Sequence, residues 1–211
     1  TSVYVAQDLY PDVSFILIDG EPNDGATPTA TYRTGSNVAS ILYAEEEAGY
    51  LAGYAAVKEG FTKLGFMGGQ AFPAVVRFGY GFAQGADAAA VEMGLTGVTI
   101  NYNYTNVFWP TPEVQTLAAS WYADGTEVIF AAAGGAGNSV MAAAEATTGK
   151  YVIGVDKDQS GDSETVITSA MKGVTDSVYQ TITDYYAGQF PGGTTTVKSA
   201  VNNGVELPMA T

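Results

Sequence analysis

Residues 63–104 read KLGFMGGQAFPAVVRFGYGFAQGADAAAVEMGLTGVTINYNY. The apolar run from Lys63 to Met67 reads as a buried strand that closes at Gly68-Gly69. Pro73 to Met93 follows as a long Ala-rich helix ended by Gly94, with Phe78 and Phe82 four apart on one face. Val98 to Tyr104 then returns to strand. Strand, helix and strand in succession form a unit whose strands run parallel and whose helix packs back on the sheet.

Working outward, the same rhythm continues in both directions. Downstream lie a helix over Pro112 to Ala123, a strand over Glu127 to Ala131, a helix over Gly137 to Thr147 and a strand over Tyr151 to Val155. A polar loop leads to a short strand at Val166-Ile167-Thr168 and a helix from about Gly173 to Ala187. The Gly- and Thr-rich tail beyond it shows no legible element. Upstream, Thr1 to Tyr10 reads as the end of a helix, Val13 to Ile18 as a strand closing at Asp19-Gly20, and Glu21 to Ser36 as a long loop. Val38 to Tyr43 is a strand and Ala44 to Glu59 a helix, with Glu45, Glu46 and Glu47 in the first turn, where the helix dipole favours acids. The fold class is therefore α/β, parallel sheet covered by helices on both faces.

Composition narrows the chemistry. Twenty-two acidic against eight basic side chains give a formal charge of −14, which repels a phosphate backbone and argues against nucleic-acid binding. The chain contains no cysteine and no histidine, so disulfides, thiolate nucleophiles, imidazole bases and the common zinc ligands are all missing. No apolar run reaches the ~18 residues of a membrane span. Hydrophobic residues at 46% and charged residues at 14% describe a well-packed globule.

In open parallel sheets, ligands collect at the carboxyl ends of the strands. Four such ends stand out: Asp19-Gly20, Gly68-Gly69, Gly134 to Gly137, and Asp156 to Gln159. Asp19 and Asp156 each end an apolar strand, where a carboxylate either accepts hydrogen bonds from a vicinal diol or simply forms the turn. Glycines from Gly134 to Gly137 sit at a strand-to-helix turn that either offers backbone N–H groups to a polar ligand or only needs glycine for tightness. No Lys-Ser/Thr follows, so this is not a nucleotide-binding P-loop. Gly79-x-Gly81-x-x-x-Gly85 approaches the dinucleotide spacing but lies inside a helix, where close helix packing explains it better. Phe78, Tyr104, Phe108 and Trp109 fall near loops, where an aromatic either stacks on a flat base or belongs to the core.

Several blocks together resemble the basic membrane protein family of solute-binding lipoproteins, which includes purine nucleoside receptors of ABC transporters. They are Tyr10-Pro11-Asp12-Val13-x-Phe15-x-x-Ile18-Asp19-Gly20, Asn37-Val38-Ala39-Ser40 and Glu47-Ala48-Gly49-Tyr50-Leu51-Ala52-Gly53. The match continues through Gly65-Phe66-Met67-Gly68-Gly69, Phe78-x-x-Gly81-Phe82-x-x-Gly85, Ala132 to Gly137, Gly154 to Gln159 and Thr168 to Lys172.

The resemblance implies a type I periplasmic-binding fold, two Rossmann-like lobes with a ligand cleft between them, and a first lobe truncated at its opening strands. It implies that 1–59 belong to the first lobe, 60–165 to the second, that 166–190 return to the first, and that 191–211 cross over and end the second. It implies an extracytoplasmic solute-binding component of an ABC transporter that captures a purine nucleoside without turnover and without cofactor, and hands it to a permease. Phe78 and Phe108 would sandwich the base, Asp156 would accept the ribose hydroxyls, Gly137 would offer backbone, and Asp19 and Lys172 would give polar contacts. A monomer tethered to a membrane only through a lipid anchor outside this chain is expected. The rivals are a nucleoside-hydrolysing enzyme, with Asp156 and Asp158 as a carboxylate pair, and a ligand sensor on the same fold.

Overall fold

A computed structural model describes residues 1–209. In chain order the elements are α1 (Ser2–Leu9), β1 (Phe15–Ile18), β2 (Val38–Tyr43), α2 (Glu45–Lys58), β3 (Lys63–Gly68), α3 (Pro73–Met93) and β4 (Thr99–Tyr104). They continue with α4 (Pro112–Ala123), β5 (Val128–Ala132), α5 (Gly137–Glu145), β6 (Tyr151–Asp156), β7 (Val166–Lys172), α6 (Val174–Tyr186), β8 (Thr194–Lys198) and β9 (Val205–Glu206). The chain forms two compact units, one from Thr1–Ala44 with Gly173–Gly204, the other from Glu45–Lys172 with the segment that begins at Val205.

The first unit holds a parallel three-stranded sheet in the order β1-β2-β8, with β1 and β8 as outer strands. The loop from Glu21 to Ser36 is held by side chains. Gln7, almost fully buried, accepts from the Gly35 N–H at 2.7 Å and donates to the Arg33 carbonyl at 3.1 Å, and the Arg33 guanidinium grips Asp8. Asn37 donates to the carbonyls of Gln7, Tyr10 and Val13, tying α1 to the start of β2. Backbone groups that a long loop would leave open are thus satisfied by amide side chains.

The second unit holds a six-stranded sheet in the order β4-β3-β5-β6-β7-β9, parallel except for β9. Its central strand β5, Val128-Ile129-Phe130-Ala131-Ala132, is buried at every position, as a strand covered on both faces must be. Phe130 is the hub of the core: the rings of Phe66, Phe78 and Phe82 lie 5.5, 5.7 and 5.3 Å from it. The helices begin and end where their chemistry dictates. Pro73 opens α3 and Gly94, at φ 64°, closes it. Thr111 caps α4 by accepting from the Val114 N–H, with Pro112 in the first turn.

The closest approach in this unit is between α2 and α3. A Cβ built on Gly49 would lie 2.2 Å from the Phe78 carbonyl oxygen, and one on Gly53 2.1 Å from that of Phe82. From the other side, a Cβ on Gly81 would lie 2.0 Å from the Glu46 carbonyl oxygen and one on Gly85 1.9 Å from that of Tyr50. The four glycines therefore let two backbones touch, running in the same direction, and no larger residue fits without parting them. Of the glycines spaced inside α3, Gly81 and Gly85 serve helix packing, while Gly79 lies against Tyr102 and Phe66 of the sheet.

The division between units departs from the sequence expectation in three places. α2 belongs with the second unit, because its glycines lock it to α3, so the boundary falls after Ala44 rather than at residue 59. β7 runs to Lys172 and pairs with β6, which keeps 166–172 in the second unit. β8, unforeseen in the tail, pairs with β2 and keeps 191–204 in the first. The end of the expected 191–211 segment, residues 210 and 211, lies outside the described residues.

Replacing Gly81 by Ala is expected to destabilise the protein by about 2 kcal/mol or more, despite alanine's better helix propensity, because the methyl group must push α2 away. Gly161, around which a Cβ meets nothing within 4 Å, serves as control, and Gly161→Ala should stay within about 0.5 kcal/mol of the parent in denaturant unfolding. Equal stability of both variants would show that the helices are not locked as described.

Candidate functional site

Five strands of the second unit, β4, β3, β5, β6 and β7, point their carboxyl ends to one edge of the sheet. The chain steps from β3 outward to β4 and then back across to β5, so the strand order reverses between β3 and β5. Such a reversal opens a crevice where flanking loops diverge. Here Gly69 N–H donates to the Ala132 carbonyl at 3.0 Å, and the loop after β4 lies over the gap.

That loop carries Phe108. A Cβ on Gly69 would lie 2.2 Å from the Phe108 ring, and one on Gly135 3.1 Å from the Phe108 carbonyl oxygen, so the aromatic sits directly against the glycines that end β3 and follow β5. The Ser139 hydroxyl of α5 accepts from the Thr111 N–H and donates to the Thr111 carbonyl, 3.0 Å in both cases, which pins the far end of the loop. Phe108 stacks on Phe72 with ring centroids 5.7 Å apart and planes 24° from parallel. Phe72 is 54% exposed, so the pair presents aromatic surface at the crevice. The sequence reading missed Phe72; the signal was an aromatic immediately before the proline that opens α3.

Asp156 ends β6 with φ 67°, and Asp19 follows β1 in the first unit with φ 58°. Both are in the left-handed region, which aspartate tolerates better than most residues but still at a cost, and such conformations gather at functional sites. The Asp156 side chain is 51% exposed, and its Oδ1 lies 3.1 Å from the Lys172 Nζ. Lys172, at the carboxyl end of β7, has a side chain only 4% exposed. Its ammonium stands 5.7 Å from the centre of the Phe78 ring, a cation-π distance. Asp156, Lys172 and Phe78 are therefore brought together at the carboxyl edge of the sheet.

Phe78 differs from the expectation in one respect. Its exposure is 2% and its ring packs at right angles to that of Phe130, so its first role is in the core, with the Lys172 ammonium 5.7 Å from its centre. Gly137 differs too. Its N–H is directed at the carbonyls of Gly134 and Gly135 within the turn that precedes α5, so it is committed to local structure. The exposed glycines of that turn are Gly134, at φ 54°, and Gly135. Asp19 lies on the first unit, where its N–H donates to the Ile41 carbonyl at 2.9 Å.

Two further charges complete the cluster, and neither was singled out from sequence. Glu45, the first residue of α2, is fully buried. Its Oε2 accepts from the Arg77 Nε at 2.6 Å, and its Oε1 lies 4.0 Å from the Lys172 Nζ. Arg77 also reaches Glu46 at 3.7 Å. Two of the eight cations in this acidic chain are thus spent here. Burial raises the Glu45 carboxyl above its ordinary value, against the opposing pull of the Arg77 guanidinium and, more weakly, the Lys172 ammonium.

A carboxyl whose folded pKa is raised holds its proton more tightly in the folded state, so its contribution to stability is greatest at low pH and is lost as pH rises through the window that opens at about 4.3. The stability of the parent minus that of Glu45→Gln is therefore expected to fall as pH rises through this window and to level off above it. Denaturant titrations across pH 4 to 8 measure this, and a difference that grows with pH would contradict the assignment.

The family model of ABC transporter substrate-binding proteins, PnrA-like, matches residues 2–210. The chain is 31% identical over 215 aligned residues to an ABC transporter nucleoside-binding protein of Lactococcus lactis, covering 93% of this chain and 57% of that protein. It is 34% identical over 178 residues to basic membrane protein B of Borreliella burgdorferi, covering 83% of this chain and 49% of the relative. The chain thus spans about half the length of the curated relatives it matches. An ABC transporter solute-binding protein of Aeropyrum pernix superposes with a TM-score of 0.79 at 28% identity, over 98% of this chain and 57% of the other. The chain belongs to the PnrA-like family of ABC transporter substrate-binding proteins and has the type I periplasmic-binding fold.

Proposed function

We propose that the protein is the extracytoplasmic solute-binding component of an ABC transporter, that it captures a purine nucleoside or a close analogue without turning it over, and that it passes the ligand to a permease. The observation that carries this reading is the pairing of a half-exposed Asp156, in left-handed backbone at the end of β6, with the buried Lys172 ammonium. A carboxylate held in this way accepts both hydroxyls of a vicinal diol, the group that a ribose offers. The Phe108–Phe72 pair at the neighbouring strand ends supplies a flat apolar surface for a base. The nucleoside-binding relative supports the same choice of ligand.

The contacts of Asp156 and Asp158 favour binding over the carboxylate pair of a hydrolase. Asp158 accepts from the Ser160 N–H at 2.9 Å and shapes its own loop, while the partner of Asp156 is an ammonium. Among the described residues no group of three or more His, Cys, Asp or Glu is placed to hold a metal ion. Binding is the reading these contacts favour. Among the described residues no helix is long and apolar enough to cross a membrane; a lipid anchor outside this chain and a monomeric state belong to the proposal.

Calorimetric titration of the intact protein with adenosine, guanosine, inosine, cytidine and ribose tests this reading. Purine nucleosides are expected to bind most tightly, and Asp156→Ala and Phe108→Ala should each weaken binding at least ~10-fold. Phe108 is the better aromatic probe, since Phe78→Ala would also open a core cavity worth about 3–5 kcal/mol of stability. Absence of binding across the panel, or release of free base on incubation, would overturn the proposal.

A further inference from the structure

Glu45 has no part in the ligand contacts just proposed, yet it is the most deeply buried charge in the cluster that forms them. One of its oxygens, Oε2, is bound to Arg77. The other, Oε1, has no hydrogen-bond partner among the described residues and faces the Lys172 ammonium at 4.0 Å. That separation exceeds a hydrogen bond, and the attraction across it is electrostatic and weaker than that of Arg77. Lys172 in turn lies 3.1 Å from Asp156. A buried ammonium is costly, and a carboxylate half open to solvent offsets that cost only in part. The fully buried Glu45 offsets a further part of it.

The placement of Glu45 is fixed by backbone and not by its own side chain. It opens α2 one residue before Glu46, whose carbonyl oxygen is where a Cβ on Gly81 would collide, so its Cα cannot shift without parting the two helices. The charged groups that face it are Arg77 from α3, Lys172 from β7 and, through Lys172, Asp156 from β6; Glu46 beside it on α2 shares Arg77.

We propose that Glu45 is a positioning residue for the ligand site: its carboxylate, seated by the α2–α3 glycine contact and by Arg77, holds the Lys172 ammonium in place between itself and Asp156, and so sets the orientation in which Asp156 meets a ligand diol. The effect on affinity rests on the nucleoside-binding reading; the effect on Lys172 does not.

The test uses the intact protein with Glu45→Gln and Glu45→Asp. Without ligand, the ε-methylene signal of Lys172 in a carbon-edited NMR spectrum, assigned by its loss in Lys172→Met, is expected to shift in Glu45→Gln and to fall between the two positions in Glu45→Asp, which keeps the charge one methylene further away. With nucleoside, Glu45→Gln should weaken binding about 10-fold and Glu45→Asp should recover most of it. A residue that only supports the fold would lower the unfolding midpoint and leave both readouts alone. An unmoved Lys172 signal in Glu45→Gln overturns the proposal; if that variant does not fold, an unmoved signal in Glu45→Asp does so. If no nucleoside binds the parent, the ligand reading fails and the Lys172 signal still decides the positioning role.

Discussion

The approach of two helix backbones through four glycines is the constraint on which the second unit depends. Gly49, Gly53, Gly81 and Gly85 leave no room for a single methyl group between α2 and α3. Helices that touch at this distance cannot slide or rotate by a residue without a clash, because every ridge is a carbonyl oxygen and not a flexible side chain. The first turn of α2 and the middle of α3 are therefore held in fixed register, and that register is what sets Glu45 beside Arg77 and turns Phe78 inward toward Phe130.

The electrostatics follow from that register. An acidic chain with few cations places two of them in one cluster around the buried Glu45 and Lys172, where an ammonium and a guanidinium share Glu45, Glu46 and Asp156. At the surface such pairs are worth little, but in a desolvated setting each charge needs its neighbour, and removing one strands the others. The cluster reaches solvent at Asp156, the residue held in left-handed backbone at the end of β6. The glycines after β3 and β5 serve a different purpose at the same sheet edge: lacking side chains, they let Phe108 settle over the point where the strand order reverses.

Much of this was legible in the sequence because the relevant signals are local. α3 has a proline at its start and a glycine at its end, and the expected span of Pro73 to Met93 is the observed one. Asp19 and Asp156 were visible as acids closing apolar strands, and Lys172 and Phe78 through the family blocks. What was not legible depends on packing between distant segments. Of three consecutive glutamates, only Glu45 is buried, and no local pattern distinguishes it from Glu46 and Glu47. β8, Thr194-Thr-Thr-Val-Lys198, lacks apolar alternation because it is an exposed outer strand, and β9 spans only two residues. Gly137 was expected to offer backbone to a ligand, and the local turn that directs its N–H at the carbonyls of Gly134 and Gly135 was not visible in the glycine pattern.

The carboxyl edge of the six-stranded sheet is the centre of this account, and a crystal structure of the intact protein soaked or grown with a purine nucleoside examines it most directly. The expected result is ribose hydroxyls within hydrogen-bond distance of the Asp156 carboxylate, the base against Phe108, and Lys172 still beside Glu45. A nucleoside bound elsewhere, with Asp156 and Phe108 untouched, would contradict it.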